Sequence, residues 1–446
     1  MKRIVNGIKK ISIVFLKAVK IMKNEGFYGI SKRLDMLLAK GGVYDSYINE
    51  AKLNITLNRI YNLPEVIIDN GRAKTVNVLV PAFDFNSISA GFFGVFQAAL
   101  FIKRLGVNVR LVMFDDFYFV YKDANAKLKN YPGLENLFDE LEVECIGDRR
   151  MPLKVSPYDT SLATVWYSAY LAEKIQNVCN NNKAFIYLVQ DHETRFYPGS
   201  SLSLLAEQSY KMNYAAMFST SALQNYFIQH NVGDIAGRKL QHIFYDNACS
   251  RHLPSFIQFE NTYKNSKKRK LVFYSRPVVN RNMYELGALV LIKAIEMKIL
   301  DADEWEFYAI GLGTAELELA DGKYISQMPR MNLKEYIESI SGYDMCLTLM
   351  ASPHPSLIPF DLAGSGCLVV TNNCDNKNQD YFDKYSTNII SCEPDLYALL
   401  EGIKQAAVRV PDLKSRYKSA ENMKFPSSWD ETWTNDHEEF VKKVVF

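Results

Sequence analysis

Short apolar runs recur along this chain in two series separated by a polar stretch, and this spacing limits the fold more than any other feature. The first series covers residues 76–81, 109–114, 163–167, 185–190 and 216–219. The second covers 271–275, 306–310, 344–349, 368–371 and 389–391. Helical segments alternate with these runs, which implies βαβ units and a parallel sheet in each half. At 446 residues the chain is long for one core, so two domains plus an extension are expected. The expected fold class is α/β, with two Rossmann-like domains facing a cleft and an N-terminal helical extension. The expected boundaries are 1–70 for the extension, 71–262 and 263–428 for the two domains, and 429–446 for a C-terminal helix that returns to the first domain. Substrates of such folds meet in the cleft, beyond the carboxyl ends of the strands.

Composition removes several function classes. A hydrophobic share of 48% with 13% aromatic residues argues against disorder. The net charge of +2 gives no global field for nucleic acid. The basic run 263–270 lacks interleaved aromatics and reads as the interdomain linker, so no nucleic-acid partner is expected. Seven cysteines form no C-x-x-C pair and several lie in apolar runs, as buried thiols do in a reducing compartment. The histidines show no zinc spacing. Asp301-Ala302-Asp303 imitates a D-x-D metal motif but sits in a helix-to-strand connection, and Gly311-Leu312-Gly313 reads as a tight turn. No metal and no cofactor are therefore expected.

The early apolar run 11–16 is far short of the roughly 20 residues that span a bilayer, and no small-residue cleavage site follows it. The expectation is a cytoplasmic protein. Ile4, Ile8, Ile11, Phe15, Ala18 and Met22 recur at helical spacing, and seven basic residues precede the first acidic one, Glu25. Such a helix either lies on an anionic membrane surface or packs on the protein body.

The densest stretch is Ser352-Pro353-His354-Pro355-Ser356-Leu357-Ile358-Pro359-Phe360-Asp361-Leu362-Ala363-Gly364-Ser365-Gly366, between two apolar runs. It reads as strand, loop, short helix, strand. Pro359 suits a first helical turn, and the free N–H groups that follow are expected to cradle a pyrophosphate. Asp361 is placed to accept hydrogen bonds from ribose hydroxyls. His354, Pro355 and Ser356 complete the expected donor loop. In the first half, Val189-Gln190-Asp191-His192 ends a strand, and Ala90-Gly91 opens the helix after the first strand. Gly91, Gln190, Asp191 and His192 are thus candidates for contact with the acceptor or the transferred sugar. Arg276, in Tyr274-Ser275-Arg276-Pro277, can offer a bidentate fork to a phosphate. Asn372-Asn373 to Asn376-Lys377 is a further polar stretch at a strand end, either cleft lining or a turn.

These motifs resemble those of GT-B glycosyltransferases, in the family-4-like branch that contains the WsaF-type rhamnosyltransferases of bacterial surface glycans. The resemblance rests on Ser352-Pro353-His354-Pro355-Ser356, on Val189-Gln190-Asp191 with Phe196-Tyr197-Pro198, and on Phe273-Tyr274-Ser275-Arg276-Pro277. Conventional family-4 enzymes carry two glutamates eight residues apart in the donor loop. Here the second is replaced by Asp361 and the first falls on Pro353. The resemblance implies transfer from a nucleoside-diphosphate sugar with retention, with dTDP-rhamnose favoured and UDP-hexose the alternative. It also implies a lipid-linked or oligosaccharide acceptor. Asp191, Arg276 and Arg330 are then the expected catalytic set, Arg330 aligning with a basic position before a helix. Two rival readings stand beside it: a nucleotide-sugar epimerase on the same fold, and an inactive glycan-binding partner in polysaccharide assembly.

Overall fold

The computed structural model describes residues 46–82, 88–116, 121–129, 131–179, 183–311, 313, 316–329 and 331–446, with scattered positions from 19 to 34. Arg330, Leu312 and nearly all of the stripe from Ile4 to Met22 lie outside the described residues.

The first domain is built on β1 (Val66–Ile68), β2 (Thr75–Val80), β3 (Asn108–Met113), β4 (Glu142–Cys145), β5 (Leu153–Val155), β6 (Thr160–Ala163), β7 (Phe185–Val189), β8 (Tyr214–Ser219) and β9 (His242–Tyr245). Seven of these form a sheet in the order β4-β3-β2-β6-β7-β8-β9, and β1 pairs with β5 alone. Every pairing in this domain is parallel. Helices cover both faces, so Val76, Val78, Leu79 and Val80 are all fully buried. That is why the strand is mostly apolar rather than alternating, and its one buried amide, Asn77, donates to Asp159 (2.9 Å) and accepts from Arg110 (2.9 Å). The second domain holds β10 (Arg269–Tyr274), β11 (Trp305–Ile310), β12 (Leu317–Glu318), β13 (Tyr324–Gln327), β14 (Met345–Leu347), β15 (Leu368–Asn372) and β16 (Ile389–Cys392). Its order is β12-β13-β11-β10-β14-β15-β16, parallel except for the antiparallel edge strand β12. The strand order reverses between β2 and β6 and again between β10 and β14. A crevice opens at each reversal, beyond the carboxyl ends of the strands.

Two expectations need correction. The run 163–167 is not a strand: β6 ends at Ala163, and a helix, Trp166–Cys179, begins within it. Ser168 Oγ accepts the N–H groups of Thr164 and Val165 (2.9 and 3.1 Å), which turns the chain into the helix. The basic run 263–270 is not a linker either. It is the end of the helix Phe256–Asn265 and the start of β10. Arg269 donates to the carbonyls of Tyr263 and Ser266 (3.0 and 2.7 Å) and lies 3.7 Å over the Tyr263 ring, so a basic side chain closes the helix C-terminus. The chain passes between the domains earlier, over 246–255, where Ser250 and His252 already bond to Asp361 and Ser365 of the second domain. The Asp301-Ala302-Asp303 motif lies in a turn of the helix-to-strand connection before β11: Asp301 Oδ1 accepts the Asp303 N–H, and Asp303 pairs with Lys323.

The chain crosses back at its end. Trp429 and Trp433 stack on Phe93 and Phe101 of the helix Ala90–Arg104, at 5.9 and 4.7 Å. The last helix, Asn435–Val445, buries Val441 and Val445 in the core of the first domain. Two crossings tie the domains together, so the crevices face each other across a shared cleft.

Candidate active site

Asp191 lies at the centre of that cleft. It follows β7, where the chain leaves the sheet and turns into the single 3-10 turn Glu193–Phe196. Its Oδ1 accepts the His192 N–H (2.8 Å) and the hydroxyl of Ser352 from the opposite domain. Its Oδ2 is 3.3 Å from Arg281 Nε. Arg281 follows β10 in the turn Asn280–Asn282, and its guanidinium lies 4.1 Å over the Phe196 ring. The first domain thus holds both the β10 and the β14 loops of the second through one carboxylate.

The loop after β14 is fixed at both ends. At its root, the Met350 carbonyl accepts from Lys377 Nζ (2.6 Å) and Asn372 Nδ2 (3.1 Å), while the Met350 N–H donates to Asn372 Oδ1. Further along, the Ser356 N–H donates to His354 Nδ1 (3.0 Å). That leaves the ring proton on Nε2, which donates to Ser219 Oγ across the cleft (3.1 Å). Burial pushes the His354 pKa down to about 4, so the ring is neutral at pH 7. Ser356 itself has a φ of 66°, an unfavourable backbone for a side chain with a Cβ, held by the bond to His354. Pro355 is buried between them.

Cations dominate the cleft. Arg276 lies two residues beyond the end of β10, half-buried; its carbonyl accepts the Val279 N–H (2.9 Å), and its guanidinium has no hydrogen-bond or ionic partner among the described residues. Arg195 reaches Cys374 Sγ (3.4 Å) and the Tyr226 hydroxyl (3.2 Å). Lys377 is fully buried, and burial pushes its pKa down to about 8 while Cys374 and Asp191 oppose that shift. The neighbouring Glu193 accepts the Trp166 N–H (2.7 Å), and burial pushes its pKa up to about 8. Glu193 is therefore mostly protonated at neutral pH, which leaves Asp191 as the central anion.

On the first-domain wall, Gly91 leaves room for Gln190: a Cβ there would lie 3.1 Å from Gln190 Oε1. One helical turn on, a Cβ on Gly94 would lie 3.0 Å from Asn247 Oδ1. Both amide oxygens are buried without a partner among the described residues. They can accept hydrogen bonds from sugar hydroxyls.

The structure therefore brings together Gly91, Gln190, Asp191, His354, Pro355 and Ser356, while Arg276 lies in the segment after β10 with its side chain near Gly311. It does not bring in His192, whose Nε2 faces Thr194 Oγ1 (2.8 Å) and Glu207 (3.4 Å) among the rings of Tyr210, Tyr226 and Phe227. Asp361 also differs from expectation. It is buried, Oδ1 accepts the Ser250 N–H (2.6 Å) and Oδ2 the Tyr336 hydroxyl (3.0 Å). Both oxygens are committed within the protein, so Asp361 locks the interdomain crossing rather than a ribose. The expected N–H cradle is likewise lost. Pro359 has no N–H, and those of Phe360 and Asp361 already donate to the Leu357 carbonyl. Residues not anticipated are Arg281, Ser219, Asn247 and Arg195; Lys377 takes the cleft side of its two readings, and Ser352, part of the donor-loop motif, gains an unforeseen contact with Asp191. Arg281 carried a signal, as a second arginine five residues after Arg276 at the same strand end.

Two family descriptions match this chain: the WsaF N-terminal domain over residues 75–221 and the WsaF C-terminal domain over 269–404. Together they span over half of it. The chain belongs to the WsaF family of GT-B glycosyltransferases. The WsaF C-terminal match contains Arg276, Arg281, the 351–357 loop and Lys377, and the N-terminal match contains Gly91 and Gln190 to Arg195. An O-antigen biosynthesis protein, RfbC of Myxococcus xanthus, is 27% identical over 350 residues. That stretch is 75% of this chain but 24% of RfbC, so the chain spans about a quarter of that relative. Among solved structures, TarM has a TM-score of 0.56 at 10% identity, covering 84% of this WsaF-type chain and 99% of TarM. Anabaena HepE, solved with UDP-glucose, has a TM-score of 0.54 at 12% identity, covering 83% and 99%. Sucrose-phosphate synthase of Thermosynechococcus elongatus has a TM-score of 0.54 at 10% identity, with coverage of 83% and 99%. At these identities the likeness shows the GT-B fold of this WsaF-type chain and nothing finer.

Proposed function

We propose that this glycosyltransferase moves a sugar from a nucleoside diphosphate onto a growing bacterial surface glycan, with rhamnose the favoured sugar and dTDP its carrier. The reading rests on the segment after β10, which carries both Arg276 and Arg281, and on the bond from the Ala351 N–H to the Arg281 carbonyl (2.7 Å) that ties this segment to the 351–357 loop at the strand-order reversal. Two guanidinium forks offer a diphosphate charge-assisted bonds and neutralise the charge that develops on it as the glycosidic bond breaks. On that account the arginines do the work a divalent metal does in other transferases, and no metal is needed. The 10% to 12% identical neighbours include HepE with UDP-glucose, which supports a nucleotide-sugar donor of the UDP-hexose kind as the alternative.

The transferred sugar lies between the 351–357 loop and the Asp191 carboxylate. The acceptor enters along the first-domain wall formed by Gly91, Gln190 and Asn247. The neutral His354 holds the loop in register through Ser219. RfbC supports an O-antigen-type acceptor, lipid-linked or oligosaccharide, and the family resemblance supports retention at the anomeric carbon. No helix among the described residues is long and apolar enough to cross a membrane. The seven basic residues ahead of Glu25 support a lipid-linked acceptor, since basic residues are drawn to an anionic membrane surface. A thermal-shift screen of nucleotide sugars tests the donor assignment. Stabilisation by dTDP-rhamnose above UDP-glucose is expected, and the reverse order would move the donor to the UDP-hexose class.

A further inference from the structure

We propose that the Asp191 carboxylate holds the place of a donor phosphate: it occupies Arg281, and the nucleoside diphosphate takes that guanidinium over when it binds. The inference rests on the donor reading above and adds a competition within the site.

The carboxylates near the cleft are not equivalent. Glu193 is turned to the Trp166 N–H, Glu207 faces His192, and Asp375 pairs with His230 at 2.6 Å. Asp191 alone among these meets the cleft cations from both domains. Its oxygens accept a backbone N–H (2.8 Å) and the Ser352 hydroxyl and form an ion pair with the Arg281 guanidinium (Nε at 3.3 Å) that makes no hydrogen bond, so the guanidinium is held by charge beside groups that anionic phosphate oxygens also accept. The ammonium of Lys377 and the guanidinium of Arg195 both feel its charge. The cleft is therefore organised around an anion, and the protein supplies one from its own chain.

Arg281 stays aimed without Asp191. Its guanidinium lies over Phe196 at 4.1 Å, and its backbone carbonyl accepts the Ala351 N–H at 2.7 Å. The guanidinium of Arg276, five residues earlier, has no partner to give up among the described residues. A diphosphate carries more charge than one carboxylate and can bridge both arginines, so it displaces Asp191 from Arg281. While Asp191 is in place, every diphosphate that binds must first displace it.

The test is calorimetric titration of the full chain with UDP and with dTDP. The proteins compared are the wild type, Asp191→Asn, Arg281→Gln and the double variant, with melting curves as the control for folding. Asp191→Asn is expected to bind the nucleoside diphosphate about tenfold more tightly than the wild type, and to lose that gain in the Arg281→Gln background. Asp191→Ser, expected to behave in the same way, guards against a folding defect specific to one substitution. Equal or weaker binding by the folded Asp191 variants, with wild-type binding intact, overturns the exchange. A gain that persists without Arg281 overturns it too, because it would come from net charge alone. If the wild type binds neither UDP nor dTDP, the donor reading itself fails and the exchange falls with it.

Discussion

Asp361→Ala separates a structural lock from a substrate ligand. Asp361 accepts the Ser250 N–H at 2.6 Å and the Tyr336 hydroxyl at 3.0 Å, joining the interdomain crossing to two helices of the second domain. Hydrogen bonds to a charged acceptor contribute about 1.5–3 kcal/mol each, and removing the acceptor strands both donors. Part of this is offset, because burial disfavours the charged carboxylate and pushes its pKa from 3.8 up to about 7. A net loss of about 2–3 kcal/mol follows, or a fall in melting midpoint of roughly 4–12 °C for a domain of this size. Affinity for a nucleoside diphosphate, titrated on the folded variant, should stay within about twofold of wild type, a change of under 0.5 kcal/mol. An unchanged midpoint together with a large loss of affinity would refute the lock and restore the ribose role. The sign of the pH effect is a second check. The folded pKa lies above the unfolded one, so the native state holds the extra proton between about pH 4 and pH 7. The wild type loses this contribution as pH rises through that window. Asp361→Asn carries no such proton, so its stability relative to wild type should improve across the same interval. A difference independent of pH would contradict the burial argument.

Arg276→Ala should leave folding intact and weaken UDP or dTDP binding by about tenfold, the equivalent of one charge-assisted contact; unchanged affinity by calorimetry removes it from the diphosphate site. Transfer activity should persist in EDTA; loss that magnesium or manganese restores would point to a metal-dependent mechanism. Deleting residues 1–24 should reduce salt-sensitive binding to anionic vesicles, where each basic residue contributes about 1 kcal/mol, while transfer to a soluble acceptor is retained. Equal vesicle binding by both forms would end the membrane reading.

The interior strands were legible because they are buried on both faces. Residues 78–80, 185–189 and 368–370 are continuous apolar runs, and the structure has strands that contain them. The strands that went unread lie at or near sheet edges. β4 is Glu142–Cys145 with no fully buried residue, β9 begins at an exposed His242, and β12 is two residues long. Half-covered strands carry polar residues that break the apolar signal. The site divides in a similar way. Gln190, Asp191 and Arg276 could be found because strand ends point into the cleft of such folds. Arg281, Ser352 and Ser219 take their roles from contact between domains; Ser352 and Asp191 are 161 residues apart, and local pattern carries no trace of that meeting. Asp361 was misread for the same reason. A carboxylate early in a helix looks available to a ligand, and only the fold shows Ser250, 111 residues away, already bonded to it.

The central claim is sugar transfer from a nucleoside diphosphate across this cleft, and product analysis tests it most directly. The full chain would be incubated with dTDP-rhamnose, or with UDP-hexoses, and a lipid-linked or oligosaccharide acceptor, with products identified by mass spectrometry. The account predicts stoichiometric release of nucleoside diphosphate and an acceptor heavier by one sugar residue, with both lost in Arg276→Ala together with Arg281→Gln. Recovery of a donor epimer with no change in acceptor mass, or donor binding with no turnover across the acceptor set, would contradict it.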